Sequence, residues 1–319
     1  DLGEQPLRRN PSMQSSARQH TLKNCIRATG VGLHSGKQVN IVLRPAAVDS
    51  GIVFRRTDLD YDFRIRAHAM NVGATAMATS LSDGANEIST IEHLMSAFAG
   101  LGIDNAEVEV DAGELPIMDG SAAPFVFLIQ SAGVTAQSAV KKFLVIREAI
   151  RFGSDEAFAE LQPLEGFSLK YTLDYDHPVF AQHEHTAEVN FCSTSFIKEI
   201  SRARTFGFLA DYEKLKALNL AQGGSLDNAV VVDDSRILNE EGLRVRDEFA
   251  KHKLLDAVGD LYLIGFSLVG RFHGYRSGHT INNALLRKVL ETPRAFEVVS
   301  YESDCVVPKS YRRKDALPA

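Results

Sequence analysis

Positions 252, 256 and 260 of this 319-residue chain are occupied by His, Asp and Asp, in the run His252-Lys-Leu-Leu-Asp256-Ala-Val-Gly-Asp260. At 3.6 residues per turn these side chains project from one side of a helix, with Leu254, Leu255, Val258, Leu261 and Tyr262 covering the other. A plain amphipathic helix with a solvated polar face would show the same period. Solvated faces usually carry Lys, Glu and Gln, however, and His, Asp and Gly are mediocre helix formers, so propensity does not explain their choice. A His and a carboxylate one turn apart can offer an imidazole nitrogen and an oxygen to one cation, as the two histidines of HExxH do.

Two ligands do not make a catalytic zinc site, which normally has three protein ligands and an open position for water. A third candidate follows from an internal likeness. Glu92-His93 heads an apolar helix leading to a strand that ends near Val110, and Lys251-His252 heads another leading to a strand that ends near Phe272. A second likeness sets residues 27–33 against 202–208. Together they indicate a duplication, and predict an α+β pair of similar domains meeting face to face, with His93 placed like His252. Glu92 admits two roles. Ser89-Thr-Ile-Glu92 matches a capping box with Ser89 as N-cap, and a carboxylate beside a metal ligand is also what a hydrolase needs to take a proton from water. His279 lies in a glycine turn after a strand, where the bland reading is a surface histidine; Asp260 could orient it and favour its imidazolium form, making it a general acid. His183-Glu-His185 alternates on a polar stretch and reads as an exposed loop or strand end.

The elements that must position these residues are legible from the apolar pattern. Strands are expected over 39–43, 51–56 and 105–110, and helices over 89–99 and 124–132. A first domain spans 21–138, preceded by a mobile extension over 1–20. A second series begins at 143–146 and continues with strands over 157–161 and 167–175 and a helix near 195–202, giving a second domain over 141–305. Residues 210–237 have no counterpart in the first half and read as an inserted helix and strand, so an insertion is placed at about 207–237. Such an insertion beside a site often supplies specificity.

Composition restricts the function. Lys and Arg total 35 against 41 Asp and Glu, a formal charge of −6, which offers no general attraction for nucleic acid. Cys25, Cys192 and Cys305 are far apart and without CxxC spacing, which points to a reducing, cytoplasmic setting. No apolar run approaches the ~18 residues that span a bilayer, and residues 1–20 lack the apolar region of a secretory signal. No GxSxG, Walker loop or GxGxxG followed by a ribose-binding acid is present, which argues against serine hydrolase, nucleoside-triphosphatase and dehydrogenase chemistry.

From about Thr21 to about Ser300 the chain resembles the zinc-dependent UDP-3-O-acyl-N-acetylglucosamine deacetylases of lipid A biosynthesis in Gram-negative bacteria. The markers, in order, are Thr29-Gly-Val-Gly-Leu-His-Ser-Gly36, Ser89-Thr-Ile-Glu-His93, Leu101-Gly-Ile-Asp-Asn105, Pro116-Ile-Met-Asp-Gly-Ser121, Ser201-Arg-Ala-Arg-Thr-Phe-Gly207, His252-Lys-Leu-Leu-Asp256 and Ser277-Gly-His279. The resemblance implies two domains, each a layer of helices packed on a sheet, with the active site between them and the insertion forming a passage for the acyl chain. It implies Zn2+ on His93, His252 and Asp256, Glu92 as general base, His279 as the acid that protonates the leaving amine with support from Asp260, and Thr205 as a donor to the oxyanion. Lys253 would face the substrate, Phe206 and Phe208 would line the acyl passage, and Asp211 would be a further substrate contact. Arg147 stands where some relatives carry a nucleotide-side lysine, and Ala221 and Asn228 replace cysteines that some relatives carry. The reaction implied is hydrolysis of the N-acetyl group of the acylated UDP-sugar, an early committed step of lipid A biosynthesis, with no nucleic acid, membrane-spanning segment or obligate protein partner. Two rivals remain open on the residues alone: a zinc amidase or peptidase acting on another amide, and a sugar-nucleotide-binding protein whose metal is structural, which a closed four-ligand site would support.

Overall fold

A computed structural model of the protein describes residues 17–303 and 306–313. Most of the expected N-terminal extension, and Cys305, lie outside the described residues. Alternation of inward apolar and outward polar residues builds the first sheet: in Gln38–Pro45 the side chains of Val39, Ile41 and Leu43 are buried while Gln38, Asn40 and Pro45 are exposed. In spatial order the strands are Ile26–Val31, Gln38–Pro45, Ala106–Val110, Ile52–Arg56 and Phe63–Arg66. The central Ala106–Val110 is antiparallel to Gln38–Pro45 and parallel to Ile52–Arg56.

The second half repeats this order with Ile150–Gly153, Phe158–Gln162, Ser267–Tyr275, Phe167–Thr172 and Thr186–Asn190. Its central strand, Ser267–Tyr275, is again antiparallel to one neighbour and parallel to the other. An antiparallel pair frames each half, Arg18–Leu22 with Val134–Val140 and Phe143–Ile146 with Phe296–Val299. A core helix precedes each central strand, Glu92–Leu101 in one half and Glu248–Tyr262 in the other, and a second helix follows it, Ala123–Ala132 and His279–Leu290 respectively. The fold is thus the expected α+β duplication. One of the two likenesses that suggested it does not follow the topology. Residues 26–31 correspond to 150–153, whereas Phe206–Phe208 pairs in parallel with Val230–Val232 in a separate unit.

That separate unit is the insertion. Phe206–Phe208, the helix Leu209–Ala217 and Val230–Val232 form a small β-α-β element, entered through Thr205, whose N–H donates to the Gly120 carbonyl at 2.8 Å. It rests on the first half through main-chain bonds: Gln222 N–H donates to the His34 carbonyl at 3.2 Å and Gly223 N–H to that of Leu33 at 2.9 Å. A Cβ on Gly223 would stand 2.2 Å from the Gly32 carbonyl oxygen, so only glycine permits this seat. Below it the Glu114 carboxylate accepts the N–H groups of His34 and Ser35, which holds the Gly32–Gly36 turn closed. The segment 67–91 occupies the corresponding place in the first half, between the strand Phe63–Arg66 and the core helix.

The two core helices pack against each other between the sheets, with the Ser96 hydroxyl donating to the Leu255 carbonyl at 2.8 Å. Phe54, Phe98 and Phe125 of the first half share one apolar cluster with Phe196, Phe249 and Phe272 of the second, and the Phe196 ring fills the space a Cβ on Gly100 would need. Closest approach falls at Gly259, where a Cβ would meet the Glu92 carbonyl oxygen at 2.0 Å. Among the described residues no helix is long and apolar enough to cross a membrane.

An alanine at 259 would favour an isolated helix by about 1 kcal/mol, so a loss of stability there reports helix contact alone. Gly259→Ala is expected to destabilise the protein by about 1–3 kcal/mol in denaturant unfolding and to lower the amount of metal it retains; a gain in stability would refute the contact.

Candidate active site

The crossing of the core helices sets the geometry of the site. His93 is the second residue of its helix and His252 the fifth of its own, so His252 sits a turn inside the helix rather than at its head. Both are buried, with Asp256 one turn beyond His252. The His93 and His252 rings stand edge to face, centroids 5.0 Å apart. Their Nε2 atoms lie 3.4 and 3.3 Å from Asp256 Oδ1. His252 Nδ1 donates to the Ala203 carbonyl at 2.8 Å, which turns Nε2 toward the cluster. Asp256 Oδ1 is buried and has no hydrogen-bond partner among the described residues, a costly state for a carboxylate oxygen unless a cation completes it. Burial opposes ionisation of Asp256, but His252 and His93 outweigh it and hold the carboxyl well below the usual range. Three convergent donors of this kind fit a divalent metal.

Glu92 lies beside this cluster. Its helix begins at Glu92 itself, with Ile91 as N-cap and no side-chain cap, because Thr90 adopts a left-handed φ of 60° that stops the helix from extending back to Ser89. The capping box therefore does not form, and the buried carboxylate is free for other work. Oε2 accepts the Thr79 N–H at 3.1 Å, and Oε1 lies 3.6 Å from His279 Nε2. Burial above all raises the Glu92 pKa, against the opposing pull of His279 and His93.

His279 is the first residue of the helix His279–Leu290, not part of a surface turn. Its Nδ1 is 2.8 Å from Asp260 Oδ2, which also accepts the Asn282 amide at 3.0 Å, while Asp260 Oδ1 accepts the Thr79 hydroxyl at 2.7 Å. The Tyr171 hydroxyl donates to the Ser277 carbonyl and fixes the approach to the helix. Burial and a helix N-terminus both disfavour an imidazolium. Burial is the largest single influence on His279, yet the carboxylates of Asp260 and Glu92 together exceed it and push its pKa up to about 10.

His252, Asp256 and His279 open onto a cavity of about 340 Å³ between the halves. Thr75, Ala76 and Met77 of the 67–91 segment form one wall, Thr205 and Phe206 of the insertion another, and His252, Lys253, Asp256 and His279 lie between them. Lys253 also reaches toward Tyr171, with Nζ 5.9 Å from the ring centroid. Phe206 joins an aromatic cluster with Phe249, Phe180 and Phe208, its ring 6.4 Å from that of His252. Phe208 packs against Tyr175 and His177 behind the cavity wall. Phe208, expected to line the passage, thus does not reach the cavity, and two further residues singled out in the sequence lie away from it. Arg147 follows the Phe143–Ile146 strand with its guanidinium on Glu297 at 2.7 Å, and Asp211 is exposed in the first turn of the Leu209–Ala217 helix. Conversely, Thr79, Asn282 and the 75–77 wall escaped the sequence reading. Asn282 carried a signal, three residues beyond His279 on a helix, but the 74–80 stretch has no periodicity to read.

Two histidines and a carboxylate, with a second carboxylate and an imidazolium at one cavity, are the residue set of a mononuclear metal hydrolase. Comparison with known proteins narrows the class. Residues 19–291 match the model of the family described as UDP-3-O-acyl N-acetylglycosamine deacetylase. The chain is 57% identical over 296 residues to the UDP-3-O-acyl-N-acetylglucosamine deacetylase of Marinobacter nauticus, covering 93% of this chain and 97% of the relative. It is 56% identical over 287 residues to the protein of the same name from Thioalkalivibrio sulfidiphilus, covering 90% and 94%. The chain belongs to the UDP-3-O-acyl-N-acetylglucosamine deacetylase family.

The ionisation of His279 supplies a direct test. Because its pKa is raised in the native state, the pair with Asp260 contributes stability fully below the unfolded value of about 6.5 and loses it as pH rises through the native value. In metal-free protein, Asp260→Asn should lower the His279 pKa by at least about one unit from about 10 in an NMR titration. An unchanged value would show that Asp260 does not govern it.

Proposed function

We propose that this chain hydrolyses the N-acetyl group of UDP-3-O-acyl-N-acetylglucosamine, releasing acetate and the free 2-amino sugar, with Zn2+ as the metal. The observation that carries the reading is the convergence of His93, His252 and Asp256 on one buried point, with Glu92 and His279 grouped on the same Asp256. Both relatives above bear the name of that activity. Borderline imidazole and carboxylate ligands suit zinc. When bound, the metal supplies Lewis acidity toward water and the amide carbonyl.

The chain's own residues then divide the work. Glu92 Oε1 takes the proton of the attacking water as the new C–O bond forms. Thr205 donates to the oxygen on which negative charge develops. His279, protonated and held through Nδ1 by Asp260, gives its Nε2 proton to the amine nitrogen as the C–N bond breaks. Lys253 brings a positive charge to the polar side of the cavity, and Phe206 lines its apolar side, where an acyl chain would lie. Three donors leave a position for water, which argues against a purely structural metal. Division into two units near the expected 21–138 and 141–305, with the site between them, is supported by the repeated topology, the framing strands Arg18–Leu22 and Val134–Val140 carrying the first unit past both expected bounds, and the scattered cysteines fit a cytoplasmic setting.

Metal analysis combined with a deacetylation assay on the acylated UDP-sugar tests the reading. About one zinc per chain is expected, with activity lost to chelator and restored by zinc. Glu92→Gln should keep the metal and lose about 100-fold or more in kcat, whereas His252→Ala should lose the metal itself. Retention of a full equivalent of zinc by His252→Ala would overturn the ligand set, and near-normal turnover by Glu92→Gln would remove Glu92 as base.

A further inference from the structure

Three groups of the site hang on one residue to which the hydrolytic scheme assigns nothing. Thr79 lies in the non-repetitive segment of the first half and is buried. Its N–H donates to Glu92 Oε2 at 3.1 Å, and its carbonyl accepts the Ile91 N–H at 3.2 Å, at the start of the Glu92 helix. Its hydroxyl donates to Asp260 Oδ1 at 2.7 Å, on the core helix of the second half. Asp260 in turn holds His279 through its other oxygen. One threonine thus ties the carboxylate of one half to the carboxylate–imidazole pair of the other.

We propose that Thr79 is a positioning residue that fixes the proton acceptor Glu92 and the proton donor His279 relative to each other. Glu92 cannot turn about its side chain without giving up a buried N–H, and Asp260 cannot turn without leaving a buried hydroxyl unpaired, which costs about 1–3 kcal/mol in either case. His279 Nε2 and Glu92 Oε1 are therefore held facing each other as an ion pair, 3.6 Å apart. Without the tie at Asp260 Oδ1, the carboxylate can rotate and carry the imidazole with it. The side chain of Thr79 acts through Asp260 alone, since its contact with Glu92 is through the backbone and survives substitution. This inference rests on the roles proposed above for Glu92 and His279.

Thr79→Val keeps the shape and the backbone bonds and removes only the hydroxyl, while Thr79→Ser keeps the hydroxyl. Kinetics on zinc-loaded protein should show kcat reduced about 10- to 100-fold in Thr79→Val with KM within about twofold, full zinc content, and recovery to within about threefold in Thr79→Ser. In an Asp260→Asn background, Thr79→Val should cause no further loss, because the hydroxyl has no carboxylate left to hold. Metal-free Thr79→Val should also show faster solvent exchange of the His279 Nδ1 proton by NMR. A kcat for Thr79→Val within twofold of the parent overturns the proposal, as do equal losses in the Val and Ser variants, additive losses with Asp260→Asn, or unchanged proton exchange. Glu92→Gln, measured alongside, separates the two levels: if it stays active the base assignment fails, and if it is inactive while Thr79→Val is normal only the role of Thr79 fails.

Discussion

The contact of the two core helices at Gly259 is the constraint on which the rest of the arrangement depends. Main chain meets main chain there, with the Glu92 carbonyl in the space a Cβ would fill. Helices that approach so closely bring the first turn of one alongside the middle of the other. The consequence is that Glu92 and His93 from one half face His252, Asp256 and Asp260 from the second, all on buried, rigid elements. The repeated topology supplies the helices, and the glycine sets their separation.

Bringing so many ionisable groups out of water is expensive unless each is paired. The site meets that requirement by assembling opposite charges around shared partners. Asp256 is kept ionised beside two imidazoles, His279 is kept protonated by two carboxylates, and burial raises the pKa of Glu92 where that of Asp256 is lowered. Two carboxyl groups of similar intrinsic pKa thereby acquire different tasks through their surroundings. Asp256 Oδ1 and His93 Nδ1 are left without a hydrogen-bond partner among the described residues, and Oδ1 lies where the metal would complete the set.

How much of this was readable in advance depends on the kind of signal. His252, Asp256 and Asp260 lie on one helix, so a period of 3.6 exposed them, and the two helix-to-strand passages disclosed the duplication and with it His93. Residues 27–33 and 202–208 look alike without corresponding in the fold, because short glycine-containing runs recur in unrelated turns. Ser89 and Glu92 had the spacing of a cap, but spacing carries no record of the left-handed Thr90 between them. The short strands Phe63–Arg66, Ile150–Gly153, Thr186–Asn190 and Phe296–Val299 were missed because each is only four or five residues long, too short for a period of two to stand out. Thr79 was beyond reach for a different reason: it acts by bridging parts of the chain 181 residues apart, through a backbone group that any residue type would supply and a hydroxyl that many loops contain.

The seat of the insertion has a consequence for how this enzyme family can vary. Gln222 and Gly223 meet the first half through peptide N–H groups given to the carbonyls of His34 and Leu33, and the turn beneath is closed by Glu114 on two further peptide N–H groups. Apart from the Glu114 carboxylate and the glycines at 32 and 223, such bonds depend on the path of the chain and hardly at all on side-chain identity. A wall hung in this way can exchange the residues it turns toward the cavity while its attachment stays the same. Relatives can therefore diverge in the lining without renegotiating the joint.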